Sequence, residues 1–201
     1  MDVQSLEKHW SSTSEFSSDG YEKIWANRRA ALASFIVEKK PKKVLEIGTF
    51  GGYNLREIHK LDDTIELVGF DINLSALDYA KKKCPAIDTI HGSIHKLEKY
   101  FTENQFDLIF TAGVLIHIPN ESVNSIISNI IQFSKTDVVH AEHHGATPNK
   151  LPGKKMRWVH NFEALYETHD TNIFPAWDAS NGFEHIVNVG LNNINNNKEK
   201  N

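Results

Sequence analysis

Cysteine is nearly absent from this chain: Cys84 is the only one in 201 residues. No intrachain disulfide can form, and the composition fits a reducing compartment. No apolar run approaches the roughly 20 residues needed to cross a bilayer. The opening Met1-Asp2-Val3-Gln4-Ser5 is polar and lacks the apolar region of a signal peptide. A basic excess is missing too. The 22 Lys and Arg are outnumbered by 26 Asp and Glu, for a formal charge of −4, which argues against a general nucleic-acid binder. There is no internal repeat and no established metal spacing such as His-Glu-x-x-His. These absences predict a soluble, cytoplasmic protein without a metal, a membrane or a nucleic-acid partner; they do not fix its oligomeric state.

What is present is a regular alternation. Strands are expected at 43–48, 65–71, 86–91, 106–111 and 137–143, and helices at 52–61, 73–83, 93–101 and 121–134. A helix over Tyr21 to Lys39 precedes them and ends at Pro41. Such alternation predicts an α/β fold: a single-domain, Rossmann-like, doubly wound sheet, mostly parallel, in which 171–177 and 184–191 supply two last strands and the last is antiparallel. Residues 1–20, polar and serine-rich, read as a flexible lead-in, 21–191 as the domain, and 192–201 as a disordered tail. Residues 145–155 read as a loop, and Asn161 to His169 as a helix capped by Asn161.

The densest information lies in Glu46-Ile47-Gly48-Thr49-Phe50-Gly51-Gly52, where a buried strand runs into a glycine-rich turn and a helix. Asp71 ends the next strand, nineteen residues after Gly52. Glycines admit a ligand close to the backbone, and a carboxylate at a strand end can accept hydrogen bonds from a ribose diol. A bare structural turn would need only the glycines. Glu46, Asp71 and the third strand end at His91-Gly92-Ser93-Ile94 argue for a nucleoside site, because ligands of open α/β sheets sit beyond the carboxyl ends of the strands.

These residues, with Phe106-Asp107-Leu108-Ile109-Phe110-Thr111, resemble the successive motifs of class I S-adenosylmethionine-dependent methyltransferases over about residues 43–144. The nicotinamide fingerprint fits less well, since its second and third glycines would fall on Phe50 and Tyr53. The stretches Gly48 to Leu55, Phe110 to Pro119, Ala141 to His144 and Thr147-Pro148 further resemble methylases associated with pseudaminic acid biosynthesis. The resemblance implies S-adenosylmethionine as cofactor and a small-molecule acceptor, such as a sugar or sugar-derived metabolite. It places Glu46, Gly48 and Gly52 in the glycine-turn motif, with the two glycines under the methionine part. Asp71 would sit on the ribose hydroxyls, Ile72 against the adenine, and Ile94 would offer a backbone N–H. Ser93 stands where many members have an aspartate facing the adenine amine. Thr111 and Gly113 would border the methionyl group. A nicotinamide-dependent oxidoreductase and a non-catalytic cofactor-binding module remain the alternatives.

Methyl transfer to a protonated nucleophile calls for a base near the ends of the fourth and fifth strands. His117, six residues past Thr111, comes first; base, substrate contact and structural group are all open to it. Next comes His140-Ala141-Glu142-His143-His144. On a strand, His140, Glu142 and His144 share a face, and Glu142 and His143 are candidates to reach substrate; a polar strand end capped by water is the competing reading. Tyr21, Trp25, Arg28 and Arg29 suit either a cofactor lid or core aromatics with a solvated basic face. Lys150, Lys154, Lys155 and Arg157 suit either an acidic substrate or a solvated loop.

Overall fold

The computed structural model describes residues 3–14, 25–151, 156–175 and 184–191. Tyr21, Lys154, Lys155 and the 192–201 tail lie outside them. By compactness the chain divides into two units, Met1–Tyr100 and Phe101–Asn201, where the sequence reading draws one domain from 21 to 191.

In the first unit, helices α1 (Val3–Ser12) and α2 (Ala26–Glu38) precede β1 (Lys43–Ile47), α3 (Tyr53–Leu61), β2 (Glu66–Asp71), α4 (Leu74–Lys83) and β3 (Ile87–His91), and a short 3-10 turn spans Ile94–Lys99. The strands run parallel in the order β3-β2-β1, with Ile47 beside Phe70 and Asp71 beside His91. Val44, Leu45, Ile47 and Phe70 are buried on the strands, against Leu32, Ile36, Leu55, Ile58, Leu77 and Ala80 from the helices. Near-continuous apolar strands are what a sheet covered on both faces requires. The sequence reading assigns no element before Tyr21. The helix found at Val3–Ser12 buries only Leu6, so its polar, serine-rich sequence carries little apolar signal.

In the second unit, β4 (Phe106–Ala112), α5 (Asn120–Phe133) and β5 (Ser134–His143) come first. They are followed by the small hairpin of β6 (Asn149–Lys150) and β7 (Trp158–Val159), α6 (Phe162–Leu165), β8 (Asp170–Pro175) and β9 (Glu184–Gly190). Strand order here is β4-β5-β9-β8. Strands β4 and β5 are parallel, and β9 runs antiparallel to both β5 and β8. The first unit thus has three parallel strands and the second four, with antiparallel pairing at its C-terminal end, the Rossmann-like α/β fold expected. The helix expected to reach His169 stops at Leu165, although Asn161 does cap it, accepting from the Ala164 N–H at 3.1 Å. Among the described residues no helix is long and apolar enough to cross a membrane.

Candidate functional site

The glycine turn after β1 is wound through three left-handed residues: Gly48 at φ 75°, Phe50 at φ 50° and Gly52 at φ 69°. Glycine takes this conformation without strain, whereas phenylalanine pays roughly 1–2 kcal/mol for it. Gly52 is doubly required, since an added Cβ would lie 2.8 Å from the Ala80 Cβ. Phe70 holds the turn against β2 through its carbonyl, which accepts from the N–H groups of Gly48 and Thr49 at 2.7 and 3.1 Å.

Glu46 braces the same turn from beneath. It is 1% exposed, and it accepts from the Thr49 hydroxyl at 2.7 Å and the Asn54 amide at 2.6 Å. Burial pushes its carboxyl up to about 8, against the pull of those two hydrogen bonds. Arg29, buried on α2, adds a weaker opposing charge and lies over the Tyr53 ring at 4.6 Å. Trp25 is exposed, with the Arg28 guanidinium 5.5 Å from its ring centre.

Asp71 is gripped by backbone. Its Oδ2 accepts from the Phe50 N–H at 2.7 Å and its Oδ1 from the Asn73 N–H at 2.8 Å. The Ile72 N–H also stabilises the carboxylate, and burial is the larger, opposing influence that raises its pKa. The strained Phe50 therefore has a local purpose: its conformation aims an N–H at the acid. A carboxylate accepts about four hydrogen bonds, so capacity remains for a further donor such as a ribose hydroxyl.

Ile72 is half-buried, and its carbonyl faces the His91 Nε2 at 3.0 Å. Ser93 donates its hydroxyl proton to Glu7 of α1 and accepts from the His95 N–H at 3.1 Å. Ile94 begins the 3-10 turn. Neither Glu7 nor Asn73 was singled out from sequence. An asparagine heading an apolar-periodic segment is a cap signal that identifies Asn73; nothing local identifies Glu7.

The second unit carries a buried polar chain. Thr111 and His140 are wholly buried, with Thr111 Oγ1 2.8 Å from His140 Nδ1 and His140 Nε2 2.7 Å from the Tyr166 hydroxyl. The His140 ring stacks on Phe162 at 5.0 Å. Burial, helped by the nearby His160, pushes its pKa down to about 3, so the ring is neutral. Glu142, 1% exposed, accepts from the N–H groups of Val114, Leu115 and Ile116 at 2.8, 3.0 and 3.2 Å, and from the Thr111 hydroxyl. Burial still raises its pKa as the largest influence. The neutral His140 ring offers one donor and one acceptor nitrogen, and these are divided between Thr111 and Tyr166. His140 and Glu142 do share a strand face, as the alternation predicts. That face is engaged with the chain itself.

The carboxylate of Glu142, a candidate to reach substrate, accepts from three N–H groups of the loop after β4. The hydroxyl of Thr111, a candidate to border the methionyl group, lies 2.8 Å from His140 Nδ1. Gly113, at φ 69°, donates to the Ala141 carbonyl at 3.0 Å, and an added Cβ there would meet nothing within 4 Å.

His117 lies in the short 3-10 turn Leu115–His117 that Glu142 holds. Its Nδ1 is 2.7 Å from the Met156 carbonyl, so Nδ1 carries the proton and Nε2 the lone pair of the neutral ring. His160, also missed from sequence, sets its Nε2 2.7 Å from the Leu115 carbonyl and braces the same turn. His143 is buried, and its carbonyl accepts the His160 N–H at 3.3 Å. Lys150 lies over Trp158 at 5.4 Å. Among the described residues no group of three or more His, Cys, Asp or Glu could hold a metal ion.

The model of a family described as a methyltransferase domain matches residues 44–137. Those residues are a methyltransferase domain. No curated protein matches the chain. Among solved structures, the fold is similar to that of the PH0226 protein of Pyrococcus horikoshii (14% identity, 94% of this chain and 99% of that one, TM-score 0.67). A TehB-like SAM-dependent methyltransferase of Corynebacterium glutamicum aligns at 23% identity over 86% and 96% of the two chains, TM-score 0.63. Magnesium protoporphyrin IX methyltransferase of Synechocystis, solved with bound SAH, aligns at 13% identity over 94% and 99%, TM-score 0.70. At such identities these likenesses are ones of fold. The methyltransferase domain contains the glycine turn, Glu46, Asp71, Ser93, Thr111 and His117, and stops just short of Glu142.

Proposed function

We propose that this chain transfers a methyl group from S-adenosylmethionine to a small-molecule acceptor, a sugar or sugar-derived metabolite. The methyltransferase domain sets the reaction class, and the carrying observation for the site is Asp71, fixed at the end of β2 by backbone N–H groups with capacity for another donor. The glycine turn, Glu46, Gly48 and Gly52 form the rest of the cofactor side, with Ile72, Ser93 and Ile94 toward the base. S-Adenosylmethionine supplies, when bound, a methyl carbon on a sulfonium, already a strong electrophile. What remains for the protein is to orient the acceptor and take its proton.

His117 fits the second task. The Met156 carbonyl fixes its tautomer with the lone pair on Nε2, and the lone pair of a neutral imidazole can take a proton. Glu142 acts through the loop it holds, as a positioning residue. The acceptor class rests on the motif likeness at 110–119 and 141–148.

Isothermal titration should detect binding of S-adenosylmethionine and S-adenosylhomocysteine, with Asp71→Ala weakening both by about 10–100-fold, the worth of a hydrogen bond to a charged group. Absence of binding, or an Asp71→Ala variant with unchanged affinity, would overturn the cofactor site. Turnover against a panel of sugars, amines and carboxylates tests the acceptor; methylation confined to amines would overturn the sugar reading.

A further inference from the structure

The helix α1 is tied to the carboxyl ends of β2 and β3 by its polar groups. Asn73, directly after this end of β2, donates both amide hydrogens to α1 and its exit, to the Trp10 carbonyl at 3.0 Å and the Thr13 carbonyl at 2.8 Å. The same residue donates its N–H to Asp71 and accepts from the Ala76 N–H to cap α4. One residue, through its side chain on one side and its backbone N–H on the other, therefore couples α1 to the position of the proposed ribose acid. The second tie is Glu7, which takes the hydroxyl proton of Ser93 through Oε1.

Ser93 has no second proton to give, so the group able to accept strongly at this corner is the Glu7 carboxylate. Its other oxygen, Oε2, makes no hydrogen bond among the described residues, and Glu7 is half-buried rather than sealed in. Adenine presents an amino group at C6, a hydrogen-bond donor; a carboxylate is its complement. A base with a 6-oxo group would set acceptor against acceptor, which a site built to hydrogen-bond rejects.

We propose that Glu7 reads the amino edge of the cofactor's adenine, and that α1 is the strap that carries it there. This rests on the placement of the cofactor at Asp71. It assigns binding specificity to a helix outside the matched domain at 44–137.

The test compares S-adenosylhomocysteine with S-inosylhomocysteine, its 6-oxo counterpart, by isothermal titration. Wild-type protein should prefer the adenine ligand by about tenfold or more, the strength of a charge-assisted hydrogen bond. Glu7→Ala should lose most of that ratio. Glu7→Gln, whose amide can donate to a 6-oxo group, should lower it further or invert it. Ser93→Ala, which breaks the tie from the other side, should erode it partly, and Glu57→Ala on α3 should leave it unchanged. Thermal midpoints of all variants check folding. An unchanged ratio in both Glu7 variants, or no preference in wild type, overturns the proposal while leaving the cofactor site standing. If Asp71→Ala binds as wild type does, the cofactor placement falls and takes the proposal with it.

Discussion

Two buried carboxylates, Asp71 in the first unit and Glu142 in the second, sit toward the carboxyl ends of parallel strands, and each is held by backbone N–H groups. They differ in what the hold leaves over. Asp71 takes three N–H donors, from Phe50, Ile72 and Asn73. Glu142 takes three as well, plus the Thr111 hydroxyl. Against a capacity of about four, Asp71 keeps more room for a further donor than Glu142 does. Strand-end position alone therefore does not distinguish the two acids; the count of donors already facing each one does.

The largest expected effect tests the consequence for catalysis. If Glu142 is a strut, the proton must go to the residue on the loop it supports. His117→Ala should lower turnover by roughly 10²–10⁴-fold, the contribution of a general base, while cofactor affinity stays nearly intact. Turnover near wild type with the true acceptor would remove His117 as base.

The second effect is on stability. Glu142→Ala strands the N–H groups of Val114, Leu115 and Ile116, the last two buried, at an expected cost of about 3 kcal/mol or more in urea unfolding. Glu142→Gln keeps one acceptor oxygen and should lose less. Were Glu142 the base instead, Glu142→Gln would fold normally and lose turnover by the full general-base factor. That result would collapse the distinction from Asp71.

Much of this was legible in the sequence. The alternation set β1 to β5 within three residues at every end, because short apolar runs such as Val44 to Ile47 and Leu108 to Phe110 alternate with longer helical segments. The glycine turn and Asp71 were legible for the same local reason. Other features depend on contacts distant along the chain. Helix α1 is anchored by Glu7 to Ser93, 86 residues on, and by the Asn73 amide to carbonyls 63 and 60 residues back. No periodicity of its own announces it. Tyr166 and His160 matter through bonds to His140 and Leu115, 26 and 45 residues away. For Glu142, alternation gives the face of the side chain and not the donors waiting there.

The smallest effect, taken per pH unit, contrasts the two units by pH. The fold holds Glu46 at about 8 against 4.5 for the free group. Between those values the folded chain keeps a proton that the unfolded chain has released, so stability falls as pH rises from 4.5 to 8. His140 does the reverse, held at about 3 against 6.5. In that interval the unfolded chain binds a proton that the folded core refuses, so stability falls as pH drops from 6.5 to 3. Each group contributes up to about 1.4 kcal/mol per pH unit in its window, and the two slopes oppose one another between 4.5 and 6.5. Urea unfolding from pH 4 to 8.5 reads them separately as differences from wild type. Glu46→Gln should gain on wild type steadily as pH rises above 4.5. His140→Gln loses the bonds to Thr111 and Tyr166 and starts less stable at pH 7, and its deficit should shrink as pH falls below 6.5. Curves that stay parallel to wild type would show that neither group is held in its neutral form by the fold.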